Sequence, residues 1–169
     1  VTGRILVSFL VVATVLAGLG TYYFQVYAFY DELPAQNSVR LTPLGAAAAQ
    51  DFAVANFRGI DSDSSPIRYR ACFDIEIDAA QLTPYTRATP LNAPGWFECF
   101  DAGVLTDALR DGRAQAVMGV SNISYGIDRV VLLMDGRGYA WQQINPCGEA
   151  HFDGDPVPQG CPPPPERRD

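Results

Sequence analysis

Hydrophobic and polar positions fall into three regimes along this chain. From Ile5 to Tyr30 no side chain is charged, and the run stops at Asp31 and Glu32. About 20 apolar residues suffice for a helix to cross the hydrocarbon core of a bilayer. Residues 1–30 therefore predict one transmembrane anchor. A cleavable signal has a shorter apolar region and small residues at its cleavage site. This run is longer and its far end, Thr21 to Tyr27, is bulky, which predicts that it is retained.

Behind the anchor the pattern changes to short alternating runs. Residues 31–50, with Pro34, Pro43 and the alanines 46–49, read as a linker, and 51–155 as one domain. A polar turn at Ile60–Pro66 precedes a strand over 67–77, with Tyr69, Cys72 or Phe73, Ile75 and Ile77 as inward candidates. Residues 101–112 predict the clearest soluble helix: Asp101 caps it, Val104, Leu105, Ala108 and Leu109 share a face, and Gly112 ends it. A strand over 114–120 follows, then a hairpin of 127–134 and 139–144 around Asp135-Gly136. From Pro146 onward Pro and Gly dominate. The third regime, residues 156–169, is a Pro-rich tail, extended over Pro162–Pro165. The fold class is α+β: one anchor helix, then a small domain with an antiparallel sheet, one clear helix and the tail.

Charge sets the expected topology. Arg4 and the terminal amine precede the span, while Asp31 and Glu32 follow it; positive charge stays cytoplasmic. This predicts a cytoplasmic N-terminus and a periplasmic C-terminal domain in a single-pass inner-membrane protein. All 12 basic residues are arginine, and the net charge is −7. An acidic domain is unsuited to nucleic acid. It suits a basic protein partner such as a soluble cytochrome c.

Cys72, Cys99, Cys147 and Cys161 are an even set in an exported domain, where disulfides form. Neighbouring pairs close the shorter loops, so Cys72–Cys99 and Cys147–Cys161 are expected, each worth about 2–4 kcal/mol. There is no Cys-x-x-Cys for thiol exchange and no Cys-x-x-Cys-His for covalent haem. His151, the only histidine, makes Cys-x-x-x-His with Cys147, but oxidised cysteines cannot ligate a metal. Asp61, Asp63, Asp74, Glu76 and Asp78 offer carboxylates without a catalytic pattern, and Pro66 breaks the calcium-loop spacing begun at Asp61. No nucleophile elbow, zinc-protease or phosphate-loop motif is present. The expectation is a protein that is not an enzyme and carries no cofactor.

Contact surfaces are the better candidates. On the anchor, Tyr23, Tyr27 and Tyr30 fall at i, i+4, i+7, and Ala13, Ala17 and Gly20 form a small-residue stripe where another helix could approach. In the domain, Trp96 and Phe97 sit beside a rigid turn and Trp141 ends the hairpin; aromatic side chains are enriched at binding hot spots. Pro162, Pro163, Pro164 and Pro165 lose little entropy on docking.

Several segments carry a resemblance: Thr2–Leu6, Tyr22–Tyr30, Asp61–Pro66, Arg70–Phe73, Ala93–Asp101 and Tyr125–Val130. Together they resemble an uncharacterised family of single-span proteins from alphaproteobacteria of the Rhodobacter–Paracoccus type, sometimes labelled histidine kinases, although this chain has no kinase or nucleotide motif. The resemblance implies an inner membrane rich in respiratory and photosynthetic complexes. The expected role is an accessory subunit or assembly partner of a larger integral membrane complex, respiratory above all, that sits in the lipid bilayer and helps to dock a basic cytochrome c. A membrane-tethered ligand-binding or sensing module is the alternative. A periplasmic metal or thiol factor for cofactor insertion is the weaker one.

Overall fold

A computed structural model describes residues 2–27 and 29–165. The first element, α1, is a helix over Thr2–Val26. It has the length and apolarity to cross a membrane, and none of its span is buried against the rest of the chain. The domain then builds a six-stranded antiparallel sheet in the order β1-β4-β5-β8-β7-β6. Its strands are β1 (Asp31–Glu32), β4 (Ala55–Asp61), β5 (Arg70–Asp74), β6 (Gln115–Ser124), β7 (Ile127–Met134) and β8 (Arg137–Ile144). A separate two-stranded ribbon pairs β2 (Ser38–Leu41) with β3 (Gln50–Ala53).

Alternation along the central strands sends side chains to two cores. Cys72, Val130, Leu132, Tyr139 and Trp141 point to one face, where α2 (Ala102–Arg110) packs with Leu105 and Ala108. Ala71, Phe73, Val131 and Ala140 point to the other, where the β2–β3 ribbon covers them with Val39 and Leu41. Period two puts successive residues on opposite faces, so the choice between Cys72 and Phe73 does not arise: both are buried, one on each side. With both faces covered, central strands read as nearly continuous apolar runs.

The hairpin of β7 and β8 forms where its pattern predicts it, with Asp135-Gly136 at the turn. Asp101 caps α2 by accepting from Gly103 and Val104 N–H, and Gly112 adopts the left-handed conformation. Val104, however, is exposed, and the buried face is Ala102, Leu105 and Ala108.

Residues 31–50 correct the linker expectation. They hold β1 and β2, and Leu41 is wholly buried. The segment's alternating Val39 and Leu41 are too few to read as a strand alone; the ribbon exists because the sheet's second face needs a cover. The segment beyond Pro146 is a second correction. Pro146–Asp153 is a helix, α3, capped by Asn145, which accepts from Cys147 and Gly148 N–H, and closed by Gly154 in the left-handed region. Asn, then Pro at the first helical position, then Gly past the end are readable start and stop signals; the density of Pro and Gly hid them.

Both disulfides pair as the spacing predicts. Cys72–Cys99 ties β5 to the loop before α2. Cys147–Cys161 ties α3 to the tail. Pro162–Pro165 are exposed and belong to no helix or strand, and Arg167, Arg168 and Asp169 lie outside the described residues. The outer edge of β6 is protected by hydrogen bonds from Thr42 N–H to Met118, from Met118 N–H to Thr83, and from Tyr85 N–H to Ala116, which removes a row of free edge groups.

Candidate functional site

α1 meets the domain at a cluster of aromatic side chains. A helix ends with carbonyls that have no intrahelical donor. One of these, the Val26 carbonyl, accepts a hydrogen bond from the Trp96 indole N–H at 2.8 Å. The same indole stacks on Tyr27, with ring centroids 6.2 Å apart, and meets Tyr30 edge-on. Tyr27 stacks in turn on Tyr23. Offset or edge-on aromatic pairs of this kind contribute about 0.5–1.5 kcal/mol each beyond the area they bury.

Arg68 extends the cluster, its guanidinium lying 5.3 Å from the Phe29 ring centre and 5.5 Å from that of Tyr30. Arg58 lies over Phe97. Arg68 thus sits on aromatic faces beside the end of a membrane-length helix, and Arg58 on that of a core ring, contacts worth about 0.5–1 kcal/mol each.

Arg70 fixes the loop that carries Trp96. It is buried, and its guanidinium donates to the carbonyls of Leu91, Asn92, Ile67 and Tyr69 at 2.7–2.9 Å. Burial pushes its pKa down to about 10, partly offset by Tyr30 and Asp61, which leaves it charged at neutral pH. The planar fork of arginine suits four carbonyls arranged around one centre. The sequence showed Arg70 only as one polar position in a strand.

Asp61, at the end of β4, lies opposite Asp31 of β1. Partial burial raises its carboxyl pKa above 3.8, with Ser62 N–H and Arg129 opposing. A folded-state pKa above the unfolded value means that the folded state holds the proton more tightly. The ionised form then costs stability as pH rises through the raised value. Asp61→Asn, which keeps the oxygen facing Ser62, is therefore expected to stabilise the protein at neutral pH. The gain should vanish well below pH 3.8, where wild-type Asp61 is protonated in both states. Urea melts at the two pH values check it; an equal gain at both would refute the assignment.

The residues expected as contacts divide sharply. Ala13 and Ala17 are exposed on α1, and Gly20 has open space around it. Tyr23 and Tyr27 share a face, but the helix ends at Val26, and Tyr30 turns away to pack on the domain core. Trp96 is half-buried in the junction. Phe97 and Trp141 are corrections: both are buried in the core, Trp141 completely, with its indole N–H donating to Gln143. Neither is a surface on which a partner could dock. The strand alternation that exposes a hairpin end on one face buries it here because α2 covers that face.

A second polar centre went unnoticed in the sequence. Asp128 is buried and accepts from Asn145 at 2.8 Å, Asn122 N–H at 2.9 Å, the Tyr85 hydroxyl at 3.2 Å and Ser121 at 3.4 Å. Burial first, and then the neighbouring Asp128 carboxylate, push the Tyr85 pKa well upward. Asn145 is also the cap of α3, so this centre joins α3 to the β6–β7 turn. A buried carboxylate with four donors is a satisfied structural node. His151 packs edge-on against Tyr125. Cys147 and Cys161 have both sulfurs in their disulfide, so neither is free for a metal.

Against known proteins, a family of unknown function, DUF6446, matches residues 39–162. The chain belongs to this family. The match takes in the whole sheet except β1, both disulfides and the Trp96 loop; α1 and Pro163–Pro165 fall outside it. No curated protein and no solved structure matches the chain. The DUF6446 domain thus carries the docking half of the junction, Trp96 and Arg70, and the apolar helix supplies the other half.

Trp96→Phe keeps the ring stack and removes the N–H. The expected result is faster proteolysis between Tyr27 and Asp31, by roughly a factor of five for a bond worth about 1 kcal/mol, with the melting of the domain unchanged. Limited proteolysis of the full chain in nanodiscs measures it. Unaltered cleavage would show that Trp96 does not hold the junction.

Proposed function

We propose that this chain is a non-catalytic, single-span accessory subunit or assembly partner of a larger bacterial inner-membrane complex. In this reading the N-terminus is cytoplasmic and the DUF6446 domain periplasmic. The observation that carries it is the contrast at the junction: α1 is wholly uncovered by its own chain, yet its end is locked to the domain by Trp96, Tyr27 and Tyr30. A tether needs only a flexible linker. A fixed orientation matters when helix and domain must meet one partner together. Ala13, Ala17 and Gly20 offer the helix face for it, and Pro162–Pro165, held at one end by Cys161, offer an exposed arm. Two disulfides fit an oxidising compartment.

The complex that fits best belongs to the respiratory electron-transport chain. The resemblance to proteins of respiring and photosynthetic alphaproteobacteria favours it, as does a net charge of −7 that complements a basic cytochrome c. The test is purification of the tagged full chain from native membranes in mild detergent, with mass spectrometry and a visible spectrum of what accompanies it. Stoichiometric haem proteins support the respiratory assignment. A lone colourless protein overturns the subunit reading.

One observation favours the membrane-tethered ligand-binding alternative. A groove of ≈ 520 Å³ is lined by Ala53, Val54, Ala55, Asp74, Ile75, Glu76 and Gly136, a volume within the range of about 300–1,000 Å³ common for small-molecule sites. If the alternative holds, the lone protein gains thermal stability on adding a membrane or periplasmic extract of small molecules.

A further inference from the structure

The register of the sheet decides from which end of the domain α1 departs. Ile60 pairs with Arg70, Arg70 with Trp141, and Trp141 with Val130. The close of β4, the start of β5, the close of β8 and the start of β7 therefore lie at one end. Asp31 pairs with Asp61 at that same end, and from there the chain runs back through Tyr30 into α1. None of the α1 span is buried against the domain, and the helix departs from this end of the sheet.

The far corner of this end is built from α3 and the β6–β7 turn. The helix begins directly after β8, Gly148 packs on Gly126, and Tyr125 meets His151. Two large apolar side chains stand exposed there, Phe152 at 56% and Ile123 at 40%. The β6–β7 pair is separated from β1 by the width of the sheet, so this corner and the junction are two widely spaced points on one surface.

We propose that the end of the sheet from which α1 departs rests on the bilayer, and that Phe152 and Ile123 form a second foothold in the lipid interface. The lipid it fits is zwitterionic. Glu149, Asp153 and Asp155 are exposed on and just after α3, and they would be repelled by an anionic surface. Burying an aromatic ring in the interface is favourable without any basic patch. The proposal rests on α1 spanning the bilayer and is independent of which complex the chain serves.

The test uses the full chain, without partners, in nanodiscs of phosphatidylcholine carrying bromine near the glycerol end of the acyl chains. Phe152→Trp adds one indole to those of Trp96 and Trp141, so its signal is the difference from wild type. Arg113→Trp places an exposed indole at the opposite end of the sheet as a control. The expected result is added emission from Phe152→Trp that is blue-shifted and largely lost to bromine, while that from Arg113→Trp stays water-like and unquenched. Water-like emission at 152, or equal quenching at both positions, overturns the proposal. Quenching at 152 that strengthens when phosphatidylglycerol replaces phosphatidylcholine at low salt overturns the assignment to zwitterionic lipid.

Discussion

Replacing Gly126 with Ala is expected to cost about 3–5 kcal/mol, the sum of backbone strain and overpacking. Gly126 has φ 75°, in the left-handed region that L side chains avoid. A Cβ there would also be driven into the Gly148 backbone, and one on Gly148 into that of Gly126. No flexible side chain stands between them to move aside, so the turn and α3 must separate. The loss would reach further, because Gly126 N–H donates to Asn122 and its carbonyl accepts from Asn145 N–H. Asn145 in turn caps α3 and holds Asp128. Thermal melts in detergent should show a fall of roughly 10 °C or more for a domain of this size. A fall of only a few degrees would mean that the close approach is not maintained in solution.

Arg70→Met is expected to be equally damaging, by about 3–5 kcal/mol, because it strands several buried carbonyls without donors. Methionine fills much of the volume and keeps the contact with Phe100, over whose ring Arg70 now lies. It supplies no N–H for Leu91, Asn92, Ile67 or Tyr69. Lysine should restore less than half of the loss, since a point ammonium cannot span carbonyls on both sides of the fork. Loosening the 91–92 loop also frees Trp96, so Arg70→Met should accelerate cleavage between Tyr27 and Asp31 as Trp96→Phe does, but with a lower melting temperature. If cleavage there is unchanged while stability falls, the loop and the junction are uncoupled.

These two substitutions mark the limits of what patterning reveals. The hairpin of 127–144 was legible because an apolar run, Asp-Gly and a second run agree on one local solution. The cap at Asp101 and the stop at Gly112 were legible for the same reason. Both disulfides followed from loop length. By contrast, the strand nature of 38–41 is not written in its four residues. It depends on a second sheet face that needs covering, and that need appears only when distant strands have assembled.

The candidate site divides the same way. That Trp96, Tyr27 and Tyr30 are large aromatics near a membrane end is sequence information; that one indole caps Val26 and stacks on Tyr27 depends on residues 70 positions apart. Trp141 and Phe97 failed as contact residues because both join the core that α2 closes; the alternation of Trp141's strand does not say which side will be covered, and the loop of Phe97 has no alternation to read. Asp128 and Arg70 carried no signal at all, since a buried polar side chain is recognised by the donors or acceptors around it, and these come from three separate segments for Asp128 and two for Arg70.

By itself the sequence determined the elements whose cause is local: the uncharged span of α1, the capped helix, the tight hairpin and the acidic balance. Tertiary structure alone decided which faces are buried, which polar groups become nodes and how the helix is joined to the domain. The physical reason is that burial and polar satisfaction are properties of contacts between distant segments, and no window of neighbouring residues contains them.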